Sequence, residues 1–120
     1  MQDCALCGRT VLVVEDELVM AHNLQEALEH AGAEVACVGL RDAPEWIQRQ
    51  TPFAVVLDCH PPSAKRRALI RQLRRLRLPY LFYGVEPPLN FTTERAAPFI
   101  AKSCTAEKIV AAVRYLLGML

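Results

Sequence analysis

Two short valine-rich runs, each closed by acid, constrain this chain more than any other feature. Thr10-Val11-Leu12-Val13-Val14 leads into Glu15-Asp16-Glu17, and Phe53-Ala54-Val55-Val56-Leu57 leads into Asp58. Five apolar residues are too few for a helix, and this composition suits strands buried on both faces. Such strands belong to parallel sheets covered by helices, which bind ligands outside the carboxyl ends of their strands. With the two runs as neighbours, their carboxylates converge at that edge and require a cation. Lys102 follows a third apolar stretch, Pro98-Phe99-Ile100-Ala101, and supplies a fixed positive charge for the same edge.

The remaining periodicity alternates strand with helix. Leu18, Ala21, Leu24, Ala27, Leu28 and Ala31 recur at helical spacing and stop at Gly32, a residue suited to closing a helix. Glu34-Val35-Ala36-Cys37-Val38 reads as a second strand, and Asp42 and Pro44 open a short helix as cap and first-turn proline. After the third strand, Leu69, Ile70, Leu73 and Leu76 form the apolar stripe of a basic helix that ends before Pro79. Tyr80-Leu81-Phe82-Tyr83 is the fourth strand, Phe99-Ile100-Ala101 the fifth, and a last helix begins near its cap Thr105. Pro87 and Pro88 interrupt the place of a fourth helix, between residues 85 and 97, so that helix is expected to be shortened or irregular. Five β units alternating with helices imply a parallel sheet with helices on both faces. The 120 residues are read as a lead segment, 1–9, and one domain, 10–120.

Charge is distributed unevenly. Residues 1–60 carry ten acids against three bases, and residues 61–120 three acids against eleven bases. Seven of those bases, Lys65, Arg66, Arg67, Arg71, Arg74, Arg75 and Arg77, crowd one helix. No aromatic residues interleave with them to stack bases, so they read as a solvated helix face able to dock an acidic partner, and no nucleic acid is expected. No apolar stretch reaches the roughly 18 residues of a membrane span and no signal peptide is evident, so no membrane association and a cytoplasmic location are expected. The five cysteines are odd in number and scattered, as reduced thiols are. Cys4-x-x-Cys7 lacks a second Cys/His pair at metal spacing, and His22 and His30 are expected to face solvent. No nucleophile–base pair or glycine-rich phosphate loop is apparent, which argues against an ordinary enzyme.

Taken in order, these motifs resemble the receiver domain of two-component response regulators, the CheY-like family. Val11-Leu12-Val13-Val14-Glu15-Asp16-Glu17 resembles its first-strand motif. Val55-Val56-Leu57-Asp58-Cys59-His60-Pro61-Pro62 resembles its phosphoacceptor motif, with proline four residues after the aspartate. Phe99-Ile100-Ala101-Lys102 is similar to its fifth-strand motif. The match spans roughly residues 10–118. The resemblance implies a flavodoxin-like, doubly wound α/β fold with five parallel strands in the order 2-1-3-4-5. It implies phosphoryl transfer to Asp58 from a sensor histidine kinase or a phosphotransfer protein. It further implies Mg²⁺ held directly by Asp16 and Asp58, through water by Glu15, and by the backbone carbonyl of His60, with Lys102 paired to Asp58 or its phosphate. Mg²⁺ favours hard oxygen ligands of this kind, and a metal with one ammonium neutralises a transferring phosphoryl group.

The pattern departs from the family on its output side. Receivers carry Thr or Ser at the end of strand four, where this chain has Gly84, or Tyr83 if the alignment shifts by one. Ser103 stands where a proline usually follows the lysine. Phe99 reads either as the family's rotating aromatic or as a core residue, and the side chain of His60 either tunes dephosphorylation or has no direct role. Two functions follow: a stand-alone Mg²⁺-dependent phosphoacceptor that signals through protein contacts, or a phosphorylation-independent interaction module on the same fold. The apolar run Tyr115-Leu116-Leu117-Gly118-Met119-Leu120 exceeds one buried stripe, so part of it is expected to be covered by a protein partner, a second copy or an attached domain.

Overall fold

The computed structural model describes residues 6–58, 63–85, 98–102 and 104–118. Among these the elements run β1 Thr10–Val14, α1 Leu18–His30, β2 Glu34–Val38, α2 Ala43–Arg49, β3 Ala54–Asp58, α3 Ala64–Arg75, β4 Tyr80–Gly84, β5 Phe99–Ala101 and α4 Ala106–Leu116. The strands form one parallel sheet in the order β2-β1-β3-β4-β5, so the expected doubly wound arrangement is present. The shortened helix expected between the fourth and fifth strands falls on residues 86–97, outside those described.

Strand side chains alternate between faces with a period of two, and the two halves of the core follow that alternation. Val11, Val13, Val56, Leu81 and Ile100 pack with Leu24 and Leu28 of α1 and Ile109 and Val113 of α4. Leu12, Val14, Val55, Leu57 and Phe82 pack on the other face with Ala43 and Ile47 of α2 and Leu69 and Leu73 of α3. Both faces of β1 and β3 are therefore dry, which is why these strands read as unbroken apolar runs.

Helix ends follow local chemistry. The turn after α1 places Gly32 at φ +98°, and a Cβ there would lie 2.7 Å from Cys7 Sγ. Ser63 caps α3 by accepting from the Arg66 amide at 3.1 Å, and Thr105 caps α4 by accepting from the Lys108 amide at 3.4 Å. Asp42 holds the cap position of α2 but its side chain makes no capping hydrogen bond.

Four apolar side chains depart from their expected burial. Leu18, in the first turn of α1, is 85% exposed because that turn lies before the helix meets the core. Leu76 is the C-cap of α3, past its last helical residue, and is exposed. Phe53 precedes β3, which runs instead to Asp58, and the Arg9 guanidinium lies over its exposed ring at 4.9 Å. At the C-terminus Tyr115 is exposed, whereas Leu116 and Leu117 pack against the core beneath α1 and α4. No helix of the described residues is long and apolar enough to cross a membrane.

Candidate phosphoacceptor site

Three strands deliver charge to the carboxyl edge of the sheet. Lys102, one residue past β5, places Nζ 3.5 Å from Glu15 Oε1, just past β1, and 3.8 Å from Asp58 Oδ2, at the end of β3. Between β3 and β5 lies β4, whose Tyr83 is in register with Asp58, and the lysine ammonium sits 5.8 Å from the centroid of that ring. The Lys102 amide donates to the Gly84 carbonyl at 2.9 Å, so the ladder between β4 and β5 extends to the lysine itself. Strand parity explains the grouping. Glu15 continues the series Val11, Val13; Asp58 continues Val56; Tyr83 continues Leu81; Lys102 continues Ile100.

Asp16 has the opposite parity and a different neighbourhood. Its Oδ1 accepts from the Leu40 amide at 3.3 Å, and a methyl group on Gly39 would collide with that same oxygen. The absence of a side chain at Gly39 is what lets the Asp16 carboxylate settle into the turn after β2. Among the described residues, no three Asp, Glu, His or Cys side chains group closely enough to hold a metal ion. The structure thus brings Glu15, Asp58 and Lys102 together, with Asp16 turned towards Leu40. His60 lies outside the described residues. Gly84 is buried at the end of β4, and Phe99 packs on the opposite face of the sheet, half-buried in the core beside α2 and α3.

Glu15 carries the strongest electrostatic perturbation here. Its side chain is 1% exposed, and among the described residues neither carboxylate oxygen has a hydrogen-bond partner. Burial, and then the neighbouring Asp58 carboxylate, push its pKa from 4.5 to about 7, against the lowering influence of Lys102. Tyr83 is also pushed up, first by burial and then by the surrounding Cys104, Glu15, Asp58 and Glu17. Its hydroxyl donates to Met20 Sδ at 3.8 Å. A buried, unbonded carboxylate beside a second carboxylate is a set of hard oxygen donors, and its chemistry fits a divalent cation of the Mg²⁺ type.

Two participants have roles at this edge that the sequence reading does not assign. Tyr83 is the ring over which Lys102 passes. Arg66, counted there within a solvated basic face, is instead buried, and its Nη1 donates to the Asp58 carbonyl. Arg66, Leu69, Ile70 and Leu73 share the i, i+3, i+4, i+7 spacing of one helix face, which is the signal that places Arg66 inside. The other bases of the cluster, Lys65, Arg67, Arg71, Arg74, Arg75 and Arg77, are exposed as expected. His22 and His30 also face solvent, His22 lying 3.4 Å from Glu26. Cys37 and Cys104 are free thiols, Cys7 is exposed, and Cys4 and Cys59 lie outside the described residues.

The strand order is that of the CheY-like fold, which solved receiver domains share. No protein-family model and no curated protein matches the chain. Solved structures do. The signal receiver domain of a signal transduction histidine kinase from Syntrophus aciditrophicus is 26% identical with a TM-score of 0.78, covering 92% of this chain and 91% of that one. A putative response regulator from Chloroflexus aurantiacus is 24% identical with a TM-score of 0.79, covering 92% and 98%. The response regulator PhyR from Brucella abortus is 21% identical with a TM-score of 0.76, covering 92% of this chain, which spans about half (48%) of that protein's chain.

Proposed function

We propose that this chain accepts a phosphoryl group on Asp58 from a histidine kinase or a phosphotransfer protein in a Mg²⁺-dependent reaction, and signals through protein contacts. The observation that carries this reading is the Lys102 ammonium set between Glu15 and Asp58. An Asp58 Oδ attacks phosphorus, the bond from phosphorus to the donor nitrogen or oxygen breaks, and the donor leaves with the electron pair. No general base is needed, because the attacking group is a carboxylate. Asp58 is the acceptor, Lys102 compensates charge on the phosphoryl oxygens, and the hydrogen bond from the Lys102 amide to the Gly84 carbonyl fixes where the lysine starts.

Asp16 and Asp58 as direct ligands, Glu15 through water and the His60 carbonyl would hold the metal, which supplies charge neutralisation of the phosphoryl group. The Glu15 oxygens, ion-paired with Lys102 but accepting no hydrogen bond among the described residues, support the part of that assignment that falls on Glu15. Incubation with acetyl phosphate and Mg²⁺, followed by intact mass, tests the proposal. A gain of one phosphoryl group that vanishes in Asp58→Ala supports it. No gain under any condition assigns the chain to the phosphorylation-independent reading, which the hydroxyl-free Gly84 favours.

A further inference from the structure

We infer that Arg66 is a positioning residue for Asp58 and couples helix α3 to the phosphorylation state of the acceptor. The inference rests on the phosphoacceptor reading above. Arg66 stands in the first turn of α3, 5% exposed, on the stripe that otherwise carries Leu69, Ile70 and Leu73. It is held from two directions: its amide donates to Ser63 Oγ at the helix cap, and its guanidinium donates to the carbonyl of Asp58. Burying a guanidinium is costly unless nearby charge and hydrogen bonds compensate it. Packing alone would be met by leucine or methionine.

The compensation changes with phosphorylation. Phosphorylation replaces the single negative charge of the carboxylate, on the residue whose main chain Arg66 holds, with a group carrying about 1.5 to 2. A guanidinium has five N–H donors in one plane, so one side chain can hold a backbone carbonyl and meet a phosphoryl oxygen on the same residue. Charge-assisted bonds of that kind are about twice as strong as those to neutral acceptors. The differential interaction falls on α3, the helix that carries Arg66. It supplies a route from acceptor to surface that does not use a hydroxyl at the end of β4, where this chain has Gly84.

The test compares wild type, Arg66→Met and Arg66→Lys. Each is incubated with acetyl phosphate and Mg²⁺, phosphorylation is followed by intact mass, and hydrogen exchange across residues 64–76 is measured with and without the donor. Wild type gains one phosphoryl group and changes protection in α3. In Arg66→Met phosphorylation slows by about 10- to 100-fold, the loss of one charge-assisted bond, and α3 no longer responds. Arg66→Lys recovers part of both, because it keeps the charge and loses the fork. A merely structural Arg66 would lower the urea midpoint of both variants while leaving rate and α3 response as in wild type, and that result overturns the inference. Should Arg66→Met not fold, Arg66→Lys decides alone, and an unchanged rate and response overturn it. Wild type that gains no phosphoryl group overturns the acceptor reading and this inference together. Equal labelling of wild type and Arg66→Met, with equal α3 responses, overturns this inference only.

Discussion

Replacing Glu15 by glutamine removes the one buried carboxyl whose pKa lies near neutrality, and the consequence for stability can be worked out from its surroundings. Folding moves this group from 4.5 to about 7, chiefly by burial. Below the lower value it is protonated in both folded and unfolded chains and contributes no pH dependence. Between the two values the folded chain binds a proton that the unfolded chain has released, so stability falls as pH rises. Above about 7 the loss is complete, and carrying the carboxyl that far corresponds to about 3 kcal/mol. Metal-free wild type should therefore lose about 3 kcal/mol more than Glu15→Gln between about pH 5 and about pH 8.

Urea unfolding in the presence of a chelator, monitored by far-ultraviolet circular dichroism at each pH, measures the difference from midpoints and slopes. Glutamine keeps the shape of the side chain, so any packing cost it carries is the same at both pH values and cancels. Parallel stability profiles for the two proteins would refute the reasoning, because the burial of Glu15 would then not act on its charged form. Added Mg²⁺ should flatten the wild-type profile, since a metal at this edge competes with the proton.

Lys102→Met removes the cation that lowers the Glu15 pKa, so carboxyl-carbon NMR should place the Glu15 titration higher than in wild type, and acetyl phosphate labelling of Asp58 should fall by at least tenfold. Gly39→Ala should cost about 1 kcal/mol by driving Asp16 off the Leu40 amide, and in an Asp16→Ala background most of that cost should vanish; an additive double-mutant cycle by urea unfolding would refute the coupling. Leu73→Ala, in the fully buried layer beneath α3, should destabilise by about 2 to 5 kcal/mol in the same assay.

The sheet was legible because β1 and β3 are dry on both faces, and their buried positions hold only valine, leucine and alanine. Burial on one face is harder to read. Leu18 has the periodicity of the α1 stripe, yet it precedes the point at which the helix meets the core, and spacing carries no information about where contact begins. The acidic edge was legible as a group of residues, but their division of labour was not. Glu15, Asp16 and Glu17 are adjacent in sequence, and only the parity set by Val11 and Val13 separates Glu15, beside Lys102 and Asp58, from Asp16, lodged at Gly39 and Leu40.

Arg66 was illegible for the reverse reason. Composition placed it in a run of bases and therefore on the surface, while its helical phase placed it among leucines. Where charge and phase disagree, a side chain that obeys phase must find compensation inside, and here it finds the carbonyl of Asp58. The same conflict bears on the output side of the site. Gly84 brings no hydroxyl to the end of β4, and Tyr83 directs its own hydroxyl to Met20. Among the described residues, a phosphorylated Asp58 would then act through two neighbouring groups: Lys102, linked through its amide to β4, and Arg66, linked through its amide to the cap of α3. Of these, Arg66 belongs to an element whose exposed face carries bases and no acid, so a response carried by α3 reaches a surface already suited to an acidic partner.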